Sequence, residues 1–322
     1  MTRRSFCRQL TTATLAALIA PTLPNTSNAQ DNPTKRKFSL CLNPGAIGVR
    51  ANQQEAILLA HQHGFESVEP MASAILQLNA NARRQMMEDL KTKNLAWGSA
   101  GLTVDFRGDE NRFQSDLKAF PETASALQQI GVSRVNTWIT PGSNSLTYLQ
   151  NFQLHRDRLR AIATILNDHD LRLGLEYVGT HTSLIRNRYP FLHTLAETLD
   201  LIRAINTGNV GLVLDSWHWW QAGDSAQDLL QSLTDNDIIA VDLNDAPAGI
   251  EKNQQKDNER ELPAATGVIH VQPFLQTLVQ LNYSGPVRAE PFNQTLNQLD
   301  NNPACAATIA ALRKATSLIQ PA

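Results

Sequence analysis

One unit recurs along most of the chain: a short apolar run, a turn, an amphipathic segment, and often a glycine before the next run. Residues 38–42 make the first run. Residues 53–63 then place Ala56, Leu59 and Ala60 at helical spacing and stop at Gly64, and residues 65–69 make the second run. Gly131 and Gly208 repeat this helix, glycine, strand punctuation and suit left-handed caps. Further strands are predicted at 96–102, 134–138, 173–176, 210–214, 238–243 and 287–290, and further helices at 121–130, 154–168, 191–205, 271–281 and 303–317. Such alternation predicts one domain, a (β/α)8 TIM barrel over residues 38–320, while periodicity alone leaves a doubly wound parallel sheet open. With 322 residues, 42% of them hydrophobic, the chain can bury one core of that size.

The residues ahead of the barrel read as an address. Arg3-Arg4-Ser5-Phe6 opens residues 1–29, a mildly apolar stretch follows at 10–23, and Ser27-Asn28-Ala29 puts small residues where a signal peptidase cuts. This is the pattern of a twin-arginine signal. The stretch contains Pro21 and Pro24 and is too short to span a bilayer. Cleavage after Ala29, a periplasmic location and a mature protein with no membrane anchor are expected, an ordinary secretory signal or a cytoplasmic extension being the alternatives. Residues 30–37 form a polar linker. Lys plus Arg number 28 against 30 Asp plus Glu, and a net charge of −2 offers no long-range attraction to nucleic acid. Cys7 leaves with the signal. Cys41 and Cys305 sit in apolar elements and are expected as buried free thiols rather than a disulfide.

Acids fall at the ends of four successive predicted strands: Glu176 closes residues 173–176, Asp215 follows 210–214, Asp242 lies late in 238–243, and Glu290 closes 287–290. In a parallel barrel those ends converge on one face, the face where barrel active sites are built. A single strand-end acid reads equally as a cap for the next helix. Four together repel, and the usual remedy is a divalent cation.

The motifs Asp215-Ser216-Trp217-His218, Asp242-Leu243-Asn244-Asp245-Ala246-Pro247 and Ala289-Glu290-Pro291-Phe292, with Glu176 one strand before the first of them, resemble the xylose isomerase-like barrel superfamily, in its sugar isomerase and epimerase branch. The likeness runs from about Phe38 to the C-terminus. It implies that Glu176, Asp215, Asp242 and Glu290 bind the metal, that Glu176 and Glu290 form the acid/base pair, and that His218 reaches a substrate oxygen. Many relatives carry His where this chain has Asp242. The resulting all-carboxylate set favours Mn2+ or Mg2+, with Co2+ and Zn2+ as second choices. The resemblance also places a substrate-contacting arginine at Arg260, which otherwise reads as a solvated charge in the polar segment 246–267. Trp217 suits stacking on a sugar ring, or packing beside the barrel rim. Trp138 and Glu69, at other strand ends, point toward the same face.

The function implied is isomerisation or epimerisation of a sugar or keto-sugar through a metal-stabilised enediolate, on a small-molecule carbohydrate partner, in a chain compatible with a homo-oligomer. The alternatives are a lyase or dehydratase using the same site on a keto-sugar or 3-keto-glycoside, a non-catalytic carbohydrate-binding barrel, and an apurinic endonuclease, which the net charge disfavours. Replacing Arg3 and Arg4 together by Lys is expected to strand the precursor in the cytoplasm, read by cell fractionation. Normal export of that double variant would remove the twin-arginine assignment.

Overall fold

Among the described residues there are eleven strands: β1 Ser39–Leu42, β2 Ser67–Val68, β3 Ala96–Trp97, β4 Ala100–Gly101, β5 Arg134–Ile139, β6 Gly142–Ser143, β7 Arg172–Tyr177, β8 Tyr189–Pro190, β9 Val210–Asp215, β10 Ile238–Leu243 and β11 Pro286–Ala289. The computed structural model describes residues 36 to 320, so the twin-arginine motif and the expected cut after Ala29 lie outside the described residues. Nine strands form one sheet in the order β3-β2-β1-β11-β10-β9-β7-β5-β4, with parallel neighbours throughout. β3 and β4 are two pieces of one strand position. Ala96–Trp97 pairs with β2 while Ala100–Gly101 pairs with β5, so the passage through Gly98 and Ser99 closes the ring. Gly98 is required there, because a Cβ would sit 2.6 Å from the Cys41 sulfur. Closure makes the sheet a barrel, as the alternation predicts, and removes the doubly wound alternative.

Helices cover the outside, among them Gln53–His63, Tyr148–Asn167, Leu195–Ile205, Val271–Gln280 and Asn301–Thr316. One expectation fails in an instructive way. The helix predicted to start at Pro121 begins eleven residues earlier and runs as Glu110–Gln129, with Pro121 in its interior. A mid-helix proline costs about 3 kcal/mol. The stripe of Phe113, Phe120, Ala124 and Leu127 is buried along the whole helix, and two phenylalanines alone return about 1.5–3 kcal/mol each. Packing overrides the breaker.

The segment 246–267, without predicted structure, is tied down at its base. Asp245 is fully buried, and its carboxylate accepts backbone N–H bonds from Ala246 (2.8 Å), Thr266 (2.9 Å), Gly267 (2.7 Å) and Ile269 (2.9 Å). An isolated antiparallel bridge pairs Asp245 with Glu261. This knot folds the loop back over the mouth of the barrel and brings residues 257–260 to it. Cys41 and Cys305 are both buried free thiols, as expected.

Candidate functional site

Parallel register decides which side chains meet. Asp242 lies beside Asp215 on one side and Arg288 on the other, and Trp138 lies beside Glu176. Register partners in a parallel sheet project to the same face, here the barrel interior. One oxygen from each of Glu176, Asp242 and Glu290 falls within a common 4.8 Å, and so do one oxygen each from Glu176 and Asp215 with a ring nitrogen of His218. Glu176 belongs to both groups. The four acids and His218 predicted as site residues are thus brought together.

Asp215 does two things at once. As the N-cap of the helix Ser216–Ala222 it accepts from the Trp217 N–H at 2.6 Å, so the capping reading of this acid holds. It also accepts from Asn244 Nδ2 (3.1 Å) and Arg260 Nη1 (2.7 Å). Asn244 links the cluster further, its Oδ1 accepting the Glu290 N–H at 2.8 Å. Among the described residues Glu176 Oε1 is buried without a hydrogen-bond partner.

Arg260 corrects the solvated-charge alternative. It is 2% exposed, and besides Asp215 it reaches Asp257 Oδ1 (2.6 Å), Glu290 Oε2 (3.5 Å) and His218 Nε2 (3.1 Å). Its guanidinium carbon lies 5.3 Å from the Trp217 ring centroid and 4.8 Å from that of Phe292. Trp217 is therefore corrected as a sugar contact: it is fully buried, donates to Thr180 Oγ1 at 3.1 Å and stacks on Arg260. The helix begins at Ser216, directly after its cap Asp215, and its first turn directs residue 217 into the protein. Trp219 likewise packs on Phe274. Glu69 is also moved off the substrate surface, since it is bound by Arg288 inside the barrel. Trp138, 48% exposed, keeps its expected place on a cavity of about 540 Å³ that Glu176, His218, Arg260, Glu290 and Phe292 also line. Sequence reasoning missed Asp257, Asn244, Phe292 and Arg288.

Charge in this pocket is unbalanced. Burial, with Glu290 and Asp215 adding to it, pushes the Glu176 carboxyl well above its ordinary value. Burial does the same to Glu290, which rises to about 7 although Arg260 and Arg288 oppose it. Burial and the neighbouring carboxylates also raise Asp242, whose counter-charge is the guanidinium of Arg288 at 2.6 Å. His218 is held neutral, burial outweighing Asp215 and Asp257. Burial works against the charge of Arg260, yet Asp215, Asp257 and Glu290 hold its affinity for the proton above that of free arginine. An unpartnered Glu176 oxygen and a crowd of hard oxygen donors, three of them with raised proton affinity, fit a divalent cation.

Comparisons with known proteins identify the family and the fold. Residues 57–315 match the family described as xylose isomerase-like TIM barrel. An inosose isomerase of Bacillus velezensis is 22% identical over 257 residues, covering 78% of this chain and 87% of that protein. A 3-dehydroshikimate dehydratase of Bacillus anthracis is 22% identical over 205 residues, covering 61% and 68%. Among solved structures, IolI protein with a bound zinc atom superposes with a TM-score of 0.73 at 18% identity, over 88% of this chain and 100% of that one.

The raised acids fix a sign. A carboxyl at about 7 in the folded chain and about 4.5 unfolded gives the folded state the extra proton between those values. Its stabilising contribution is present below pH 4.5 and is lost as pH rises through 7. The melting temperature of metal-free protein is expected to fall between about pH 5.5 and 7.5, and Mn2+ is expected to restore it by an amount that grows with pH. Calorimetry showing a rise over that interval, or a Mn2+ effect independent of pH, would contradict the assignment.

Proposed function

The chain belongs to the xylose isomerase-like TIM barrel family, and from that premise we propose that it is a divalent-metal-dependent isomerase or epimerase of a keto-sugar, with Glu176 and Glu290 as the acid/base pair. The observation that carries this reading is the pairing of two carboxyls of raised proton affinity lining one cavity. A group near 7 can both take and return a proton at neutral pH. Glu176, Asp215, Asp242 and Glu290 would hold the cation, which when bound supplies positive charge against the negative charge developing on adjacent substrate oxygens. The donors leave Mn2+ or Mg2+ as first choices, with Zn2+ or Co2+ accepted through His218.

Proton movement falls to the protein. Glu176 and Glu290 stand on different strands, β7 and just beyond β11, so a substrate lying between them presents opposite faces to the two carboxyls. One removes a carbon-bound hydrogen and the other returns one. Arg260 sets a positive charge at the same level, its N–H groups held by Asp215, Asp257 and the Glu290 carbonyl, and the Nε2 of neutral His218 accepts from it. Asp257 and Asp215 fix Arg260 in place, and Asn244 fixes Glu290 through its backbone. The exposed faces of Trp138 and Phe292 provide apolar walls for the ring of a sugar. Export through the twin-arginine route is part of the proposal and rests on residues 1–29 alone.

A second reading keeps the site and changes the outcome. The cavity extends past the carboxylates to Arg186, Asn187 and Asn258, leaving room for a group beyond the reacting ring. A leaving group there favours a lyase or dehydratase acting on a keto-sugar or 3-keto-glycoside. Both readings are tested by incubating metal-replete protein with unphosphorylated keto-sugars and 3-keto-glycosides in deuterated water, followed by NMR and mass spectrometry. Solvent deuterium is expected at a carbon-bound position, and Glu176→Gln or Glu290→Gln is expected to slow its entry by about a hundred- to ten-thousandfold. Conserved mass selects the epimerase, and loss of water or an alcohol selects the lyase. No deuterium entry and no turnover across the panel would overturn both in favour of a carbohydrate-binding barrel.

A further inference from the structure

Arg288 is the one charged residue within β11, and it points into the barrel beneath the carboxylate cluster. It is 3% exposed, and every donor group of its guanidinium is engaged. Nε donates to Asp242 Oδ1 at 2.6 Å and Nη2 to Asp242 Oδ2 at 3.0 Å, a two-pronged fork that occupies both oxygens of an acid with no solvent exposure. Nη1 donates to Glu69, which follows β2. With its amide turned to donate to Ser99 and Ala100, Asn136 on β5 accepts from Arg288 at 3.2 Å. The guanidinium therefore spans the barrel from β10 to β2 and β5, in a plane fixed at three points.

Two consequences follow for Asp242. Its carboxylate cannot rotate without breaking the fork, so at most one oxygen, on its free lone pair, faces Glu176 and Glu290. A bidentate contact with a cation is barred. The guanidinium is also a permanent positive charge beside the cluster, screened little by solvent and opposing any second cation.

We propose that Arg288 is a positioning residue that clamps Asp242 as a one-oxygen donor, weakening cation binding overall and discriminating against ions that need bidentate carboxylates. The inference rests on the proposed metal site. Ca2+ takes six to eight oxygens and often binds carboxylates through both, whereas Mg2+, and Mn2+ with similar preferences, accept fewer donors in a tighter shell. The clamp therefore selects the smaller ion.

The test is calorimetric titration of Mn2+ alone and of Ca2+ alone into the metal-free folded protein at pH 8, in the parent, Arg288→Lys, Arg288→Met and the double variant Arg288→Met with Asp242→Asn. Arg288→Met is expected to tighten both ions by about tenfold or more, through loss of a nearby positive charge. Arg288→Lys keeps the charge but lacks the fork, so its expected signature is a Ca2+ affinity that gains at least about fivefold relative to Mn2+. The double variant is expected to lose the gain of Arg288→Met. Should Arg288→Met fail to fold, Arg288→Lys decides. Mn2+ and Ca2+ dissociation constants in Arg288→Lys within twofold of the parent would overturn the clamp, while a parent that binds no Mn2+ would overturn the metal site and the clamp with it.

Discussion

Mutual repulsion of acids held out of water is the constraint on which this structure turns. Glu176, Asp215, Asp242 and Glu290 converge from four strands, and Asp257 joins them from the loop above. Isolated burial of so many charges would cost far more than a fold of this size can offset. Two internal arginines answer part of it. Arg260 lies against Asp215, Asp257 and Glu290, and Arg288 lies against Asp242 and Glu69. What they leave uncompensated appears as raised proton affinity in Glu176, Asp242 and Glu290, burial being the largest cause in each.

The barrel is the means of enforcing that arrangement. Closure between β3 and β4 turns strand order into a ring, so that neighbours in register must share an interior. Asn244 and Asp245 then do work at a distance from the cavity. Asn244 bonds both Asp215 and the backbone of Glu290, fixing two acids relative to each other. Asp245 gathers four backbone N–H groups and so sets the path of the loop that delivers Asp257 and Arg260. The functional groups are rigid because their supports are polar, buried and satisfied.

The barrel and its four acids were legible because both leave local traces: apolar runs spaced by helices, and carboxylates where those runs stop. Burial of the loop was not legible. Arg260 reads as one charge among many in a polar segment, and only the Asp245 knot carries it inside. Trp217 misleads for a related reason, since nothing in its neighbours tells that a helix capped by Asp215 turns it away from the cavity. Pro121 shows the converse, a strong local signal overridden by a stripe of buried phenylalanines. Arg288 did leave a trace. A charge in the middle of an otherwise apolar strand predicts a buried ion pair, and Asp242 on the neighbouring strand is the partner such a reading would seek.

The carboxylate cluster is proposed as a site for one divalent ion touching Glu176, whose buried Oε1 has no hydrogen-bond partner among the described residues. Anomalous diffraction from crystals grown with Mn2+ tests it directly. One strong peak per chain is expected, at a coordination distance of about 2.0–2.2 Å from Glu176 and shared with Asp215, Asp242 and Glu290. No peak in the cavity at saturating Mn2+, or a peak that leaves Glu176 untouched, would contradict it.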